Sequence, residues 1–101
     1  MSDKSDKLRA LKVRYARSAG KHRISKDSSQ HVIAHYRVRL EEPPPPGSPA
    51  SRSIRIVYLG EDAHGRALEV MAVERDSGEL LVIHAMLLRE KYRKRYDEVP
   101  R

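Results

Sequence analysis

The sequence contains no cysteine, no tryptophan and no phenylalanine, and its aromatic side chains are five tyrosines in 101 residues. Without cysteine there is no disulfide scaffold, no thiol nucleophile and no thiolate-bound zinc or iron–sulfur centre. Without the two largest apolar rings, the core must be built from Leu, Ile, Val, Ala and Met, with tyrosine at its margins. No apolar run approaches the roughly 20 residues that a membrane span needs. The opening segment MSDKSDKLRALKVRYA lacks the apolar stretch of a secretory leader, and Asp3 and Asp6 interrupt a transit-peptide pattern. A soluble cytoplasmic protein without a membrane partner is the expectation. The length suits a single domain over 1–101, because half of it would fall near the lower limit of what folds alone.

What is abundant is positive charge, and it is unevenly placed. The formal net charge is +7. Residues 1–26 carry nine Lys or Arg against Asp3 and Asp6, residues 27–88 carry six basic against nine acidic side chains, and residues 89–101 carry six against three. Two cationic ends therefore flank a mildly acidic middle. If folding brings the ends together, they make one positive surface suited to a polyphosphate or an acidic protein.

Residues 1–11 are polar apart from Leu8 and Leu11, next to the starting Met, and read as frayed or weakly helical. Ser25 is placed to cap a helix over about 26–36, with Asp27 in its first turn and Ser29, Val32, Ile33 and Tyr36 forming one stripe. Arg37 to Glu41 alternates charge with Val38 and Leu40, as a strand or an extended exit does. Residues 42–53 (EPPPPGSPASRS) form a proline-rich loop, a semi-rigid spacer in which neither helix nor central strand survives. A β-meander follows: Ser53–Leu59, a turn over Gly60–Arg66, residues 67–75, a tight turn at Asp76-Ser77-Gly78, and the apolar run Glu79–Ala85. A helix over about Leu87–Glu98 ends the chain, with Leu88, Tyr92 and Val99, together with Tyr96, on its buried stripe and Pro100 stopping it. The expected fold is α+β: short N-terminal helices, a three- to four-stranded antiparallel sheet and a basic C-terminal helix.

Three stretches carry a resemblance when taken in order: Lys21-His22-Arg23-Ile24-Ser25, the strand–turn–strand segment Arg55–Val73, and Leu81–Tyr96, where a strand ends in Ile83-His84-Ala85 before a basic helix. Over about residues 15–98 the chain resembles the BrnT-type toxins of bacterial type II toxin–antitoxin pairs, within the RelE/ParE-like superfamily. The resemblance implies a RelE-like fold and a small endoribonuclease that cleaves messenger RNA. It also implies a cognate antitoxin protein as partner, and leaves room for a homodimer or a toxin–antitoxin hetero-oligomer. Two departures stand out. His84, Ala85 and Met86 occupy the place where the family commonly has Ser followed by Ala-Arg, and Lys12–Ser18 replaces an acid-rich opening. The phosphate-binding arginine is then either Arg89, three residues on, or missing. If it is missing, the chain is a non-catalytic basic module that binds nucleic acid or protein.

Metal-free RNA cleavage needs a base for the ribose 2′-OH, cations for the charge growing on the phosphate, and an acid for the leaving 5′-oxygen. It needs no cofactor. Histidine serves as base or acid because its reference pKa is about 6.5. The candidates are His22, in a loop between Lys21 and Arg23, and His84, on the last strand, with Lys21 and Arg89 on the phosphate. Arg23, Lys91, Arg93 and Tyr96 are the candidates for RNA contact, Tyr96 by stacking, and Arg89 and Arg93 are expected to point the same way. Each has a plainer reading as a solvated surface or core-margin residue. Glu69, Glu74 and Glu79 are alternative bases that the sequence does not separate. Asp27, His31 and His35 share a helical stripe with His spacing known for zinc, but a polar outer face accounts for them better. His64 reads as an exposed turn residue.

Overall fold

Segments rich in β-branched and aliphatic residues make the sheet. The computed structural model describes residues 12–44, 46–47 and 54–100. Along them run β1 (Val13–Tyr15), a 3-10 turn (Arg17–Gly20), α1 (Lys26–Ala34), β2 (Val38–Glu42), β3 (Arg55–Glu61), β4 (Ala67–Glu74), β5 (Leu80–Leu87) and α2 (Glu90–Glu98). The strands form one sheet in the order β1-β5-β4-β3-β2. β2 to β5 are a continuous antiparallel meander, whereas β1 joins β5 in parallel, with Val13 beside Leu80 and Tyr15 beside Val82. The fold is α+β, as expected, but the sheet has five strands and is mixed.

The departure lies at the N-terminal side, where helices were expected. Val13 to Tyr15 alternates one apolar, one charged and one aromatic residue, which suits a short edge strand; its partner β5 is distant in sequence, so the pairing leaves no local signature. The expectation for residues 1–11 and for most of the proline-rich loop, 45 and 48–53, lies outside the described residues.

The two sheet faces are covered differently. On one, Leu68, Val70 and Ala72 of β4 and Ile56 and Tyr58 of β3 pack against Val32 and Ile33 of α1, with Ile24 and Ala19 closing the end. α1 is thus the crossover that carries the chain from β1, at one edge, to β2 at the other. Ser25 caps it, its hydroxyl accepting from the Ser28 backbone N–H at 3.1 Å. The expected stripe is the packed one, with Ser29, Val32 and Ile33 buried. The helix stops two residues earlier than its periodicity suggests, because Arg37 N–H donates to the Leu59 carbonyl and draws the chain into β2. On the opposite face Val57, Leu59 and Met71 meet Tyr92 and Tyr96 of α2.

Turns follow their glycines. Gly65 and Gly78 adopt φ of +81° and +86°, conformations that side chains disfavour, at the two hairpin connections of the meander. In the first, Asp62 is buried and accepts from the backbone N–H groups of His64 and Arg66, the Arg66 guanidinium and the Ser28 hydroxyl. These bonds tie the β3–β4 turn to the first turn of α1. Among the described residues no helix is long and apolar enough to cross a membrane.

The Ser25 cap yields a direct expectation. Ser25→Ala removes the acceptor for the Ser28 N–H and lowers the unfolding free energy by about 1 kcal/mol. Urea denaturation of the two proteins measures this as a lower midpoint at unchanged slope; equal midpoints would mean that the hydroxyl contributes nothing to α1.

Candidate functional site

The centre of the site is a glutamate on the α2 side of the sheet. Glu69 sits in the middle of β4 between Leu68 and Val70, which face α1, so alternation turns its side chain the other way, and it is fully buried. Four contacts satisfy it. His84 Nε2 lies 3.1 Å from Oε2; Arg89 donates its backbone N–H to Oε1 at 2.9 Å, and its Nε and Nη2 to Oε2 at 2.9 and 2.7 Å. Burial alone pushes this carboxyl upward, but the hydrogen bonds from His84 and Arg89 outweigh it and hold the group at about 2.

His84 reaches this face through an irregularity in β5. Val82 pairs with Ala72 and His84 pairs with Met71, so Ile83 is an extra residue on the β5 side. Strict alternation from Val82 would send His84 to the α1 face and Ala85 to the α2 face. The extra residue reverses both: Ala85 enters the α1-side core and His84 joins Glu69 and Met71. Bulges commonly re-aim side chains in this way beside functional sites. His84 is therefore inside β5, which runs on to Leu87, rather than at the end of the strand.

His22 arrives from the opposite end of the chain. Beyond Tyr15 the backbone follows the edge of β5: Ala16 N–H donates to the Val82 carbonyl at 2.8 Å, and the Ser18 hydroxyl donates to the Ile83 carbonyl at 2.7 Å. The bulged residue is thus the anchor of the 3-10 turn. From there Lys21, His22 and Arg23 form an exposed loop, and Arg23 takes φ of +60°, uncommon for a residue with a side chain. The ring of His22 meets that of His84 edge-on, with centroids 5.6 Å apart and planes at 75°.

The structure therefore brings together His22, His84 and Arg89, with Lys21 and Arg23 on the same exposed loop as His22. Glu69 was one of three glutamates the sequence could not separate. The structure singles it out: Glu74 is exposed, and Glu79 pairs with Arg14 at the far end of β5. Lys91 and Arg93 are exposed on α2, lying over the rings of Tyr92 and Tyr96 at 4.8 and 5.9 Å. Arg89 is bound to Glu69 on β4, and Arg93, one turn further along α2, is exposed beside the Tyr96 ring. Tyr96 requires a correction. It is 2% exposed, its hydroxyl has no hydrogen-bond partner among the described residues, and the Arg37 guanidinium covers its ring at 4.5 Å. A base has no open face on which to stack, because α2 needs both tyrosines to cover Val57 and Leu59.

Two neighbouring features complete the surroundings. Tyr92 donates its hydroxyl to Glu42, which also meets Arg55 at 3.5 Å; burial and then this carboxylate raise the phenol above its ordinary range. A cleft of about 280 Å³ lies between the 3-10 turn and α1, lined by Tyr15, Ala19, Ile24 and Ser29 among others, and neither histidine of the pair lines it. At the C-terminal end of α1 the rings of His31 and of His35, the residue that follows the helix, lie 4.6 Å apart, but among the described residues no three His, Asp or Glu side chains converge to hold a metal ion.

Acid titration should expose the two buried carboxylates. Glu69 falls from an ordinary 4.5, and Asp62 from 3.8, to about 2 in the folded chain. A depressed folded value means that the stabilisation is fully present above the ordinary value and is lost as pH falls toward about 2. Urea midpoints should therefore drop steeply between about pH 4.5 and 2, and Asp62→Asn should flatten part of that drop; a wild-type midpoint constant across this window would contradict the assignment. Comparison with known proteins returns no matching family model, no matching curated protein and no matching solved structure.

Proposed function

We propose that the chain is an endoribonuclease that cleaves RNA without a metal ion, with His22 and His84 as its acid–base pair. The observation that carries this reading is the approach of the two rings to 5.6 Å from opposite ends of the chain, with exposed Lys21 and Arg23 flanking His22 and Arg89 sharing Glu69 with His84. Histidines are the side chains best suited to exchange protons near neutral pH, and two of them in contact at a surface provide both halves of a phosphoryl-transfer reaction.

In this mechanism one imidazole takes the proton of a ribose 2′-OH as the 2′-oxygen attacks phosphorus. The bond from phosphorus to the 5′-oxygen breaks, and the other imidazole gives its proton to that oxygen. The products are a 2′,3′-cyclic phosphate and a 5′-hydroxyl, so atoms and charge balance with no further reactant. Arg89, whose side chain is 40% exposed even while bound to Glu69, can meet the phosphate with the remaining edge of its guanidinium. Lys21 adds a second cation from the loop. A phosphate fits between the rings only if His22 swings aside; His22 is exposed, so the rotation sacrifices no buried surface. Lys91 and Arg93, exposed on α2, would meet the RNA backbone beyond the scissile bond.

The resemblance to BrnT-type toxins supports the same activity and adds a biological setting, that of a toxin neutralised by a cognate antitoxin in the bacterial cytoplasm. Met86, at the position of that family's arginine, stands opposite Glu69 in the β4–β5 register; the guanidinium at Glu69 comes from Arg89 instead. A second reading follows from that bond: an arginine held by a buried carboxylate has less charge to offer a phosphate, and the chain then binds RNA or an acidic partner without cutting it.

Incubating the pure protein with single-stranded RNA in EDTA separates the two. Cleavage to cyclic-phosphate ends is expected, and His22→Ala or His84→Ala should each slow it by about 10²–10⁴-fold while leaving binding nearly intact. Binding should weaken linearly in log–log form as salt rises. RNA that is bound but stays uncut would establish the non-catalytic reading, and cleavage indifferent to both substitutions would remove the histidines from the site.

A further inference from the structure

We propose that Glu69 is a positioning residue: it holds His84 as the tautomer protonated on Nε2, which makes Nδ1 the proton-accepting atom of the site, and so assigns His84 as the base and His22 as the acid. For its consequence in catalysis this rests on the RNA-cleavage reading; the tautomer itself does not.

The geometry leaves little freedom. Oε2 of Glu69 already accepts from Nε and Nη2 of Arg89, and Oε1 accepts from the Arg89 backbone N–H. Arginine offers only donors, so these contacts require an ionised carboxylate, which is an acceptor and nothing else. The 3.1 Å contact from His84 Nε2 to Oε2 is then a hydrogen bond only if Nε2 carries the proton. In a neutral ring the lone pair must lie on Nδ1. The other groups near His84 supply no competing carboxylate: the His22 ring meets it edge-on, and Met71 and Met86, across and along the β4–β5 ladder, carry no charge.

The same carboxylate also aims Arg89. The first turn of α2 has no side-chain cap of its own, and Arg89, its N-terminal flanking residue, instead gives its backbone N–H to Glu69. One side chain of β4 thus fixes the ring of the base, the nearest guanidinium and the entry into α2. Buried carboxylates that orient a histidine in this manner elsewhere contribute to catalysis through tautomer and orientation, without exchanging protons themselves.

Glu69→Gln isolates this role, because glutamine keeps the shape and inverts the hydrogen-bond logic. With its oxygen retained on the Arg89 backbone N–H, its amide nitrogen takes the place of Oε2, turns the half-exposed Arg89 guanidinium away as donor against donor, and can bond His84 only if Nε2 gives up its proton to Nδ1. The measurement is the two-bond proton–nitrogen correlation of the ring nitrogens in ¹⁵N-labelled protein, above the pH at which the rings titrate. Wild-type protein should show His84 protonated on Nε2 and the variant should show it protonated on Nδ1. RNA cleavage by the variant should lose about 10²–10⁴-fold in kcat with KM changed by less than about threefold. A wild-type ring protonated on Nδ1 would overturn the inference without any variant, and so would a folded Glu69→Gln protein that cuts RNA at the wild-type rate. If wild-type protein cuts no RNA, the cleavage reading fails alone, and the ring spectrum still decides what Glu69 does.

Discussion

A carboxylate shut away from water is tolerable only if its lone pairs are met, and Glu69 is the place where that constraint organises the molecule. Its desolvation in the middle of β4 is offset by an imidazole from β5 and by three N–H groups of Arg89. Removing any partner leaves a buried charge short of hydrogen bonds, a penalty of about 3–5 kcal/mol in comparable pairs. An aliphatic residue here would serve the core as well or better, since Met71, Leu59 and Tyr92 are buried on the same face. That an ionised group occupies the position instead is the strongest mark of a site on this sheet.

The second buried carboxylate shows the contrast. Asp62 is as well satisfied as Glu69, yet its partners are the backbone of its own turn, Arg66 four residues on, and the Ser28 hydroxyl. All of them hold the β3–β4 turn to α1, and none is a group with a proton to exchange near neutral pH. The two carboxylates share a depressed titration for the same reasons, burial opposed by N–H and O–H donors. They differ in what they hold. Asp62 holds its own turn, with Arg66 of that turn and Ser28 of α1, and Glu69 holds a histidine together with an arginine from another element.

The route by which His22 reaches His84 depends on strand pairing. β1 is three residues long, so the edge of β5 beyond Val82 lacks a strand partner, and the 3-10 turn takes over through Ala16 and Ser18. The bulge at Ile83 does two things at once. It rotates His84 onto the α2 face, and its carbonyl receives the Ser18 hydroxyl that draws the His22 loop alongside. A regular β5 would have placed the imidazole against α1 and the loop elsewhere.

Much of this was legible from residues close together in the chain. The β-branched runs of the meander, the glycines at Gly65 and Gly78, the Ser25 cap and the stripe of α1 follow from alternation, turn chemistry and helical period, all of which act within a few residues. The cationic ends and the two histidines were visible as residue types. Other features came from contacts between distant segments: the parallel pairing of β1, the extra residue in β5 and the choice of Glu69 among three glutamates. Periodicity assigns a side chain to a face only while the strand is regular, and one inserted residue, set by pairing with β4 and by a serine 65 positions away, moved His84 across the sheet. Residue chemistry was therefore decided locally, whereas the meeting of His22, His84, Glu69 and Arg89 was decided by register, which no local pattern encodes.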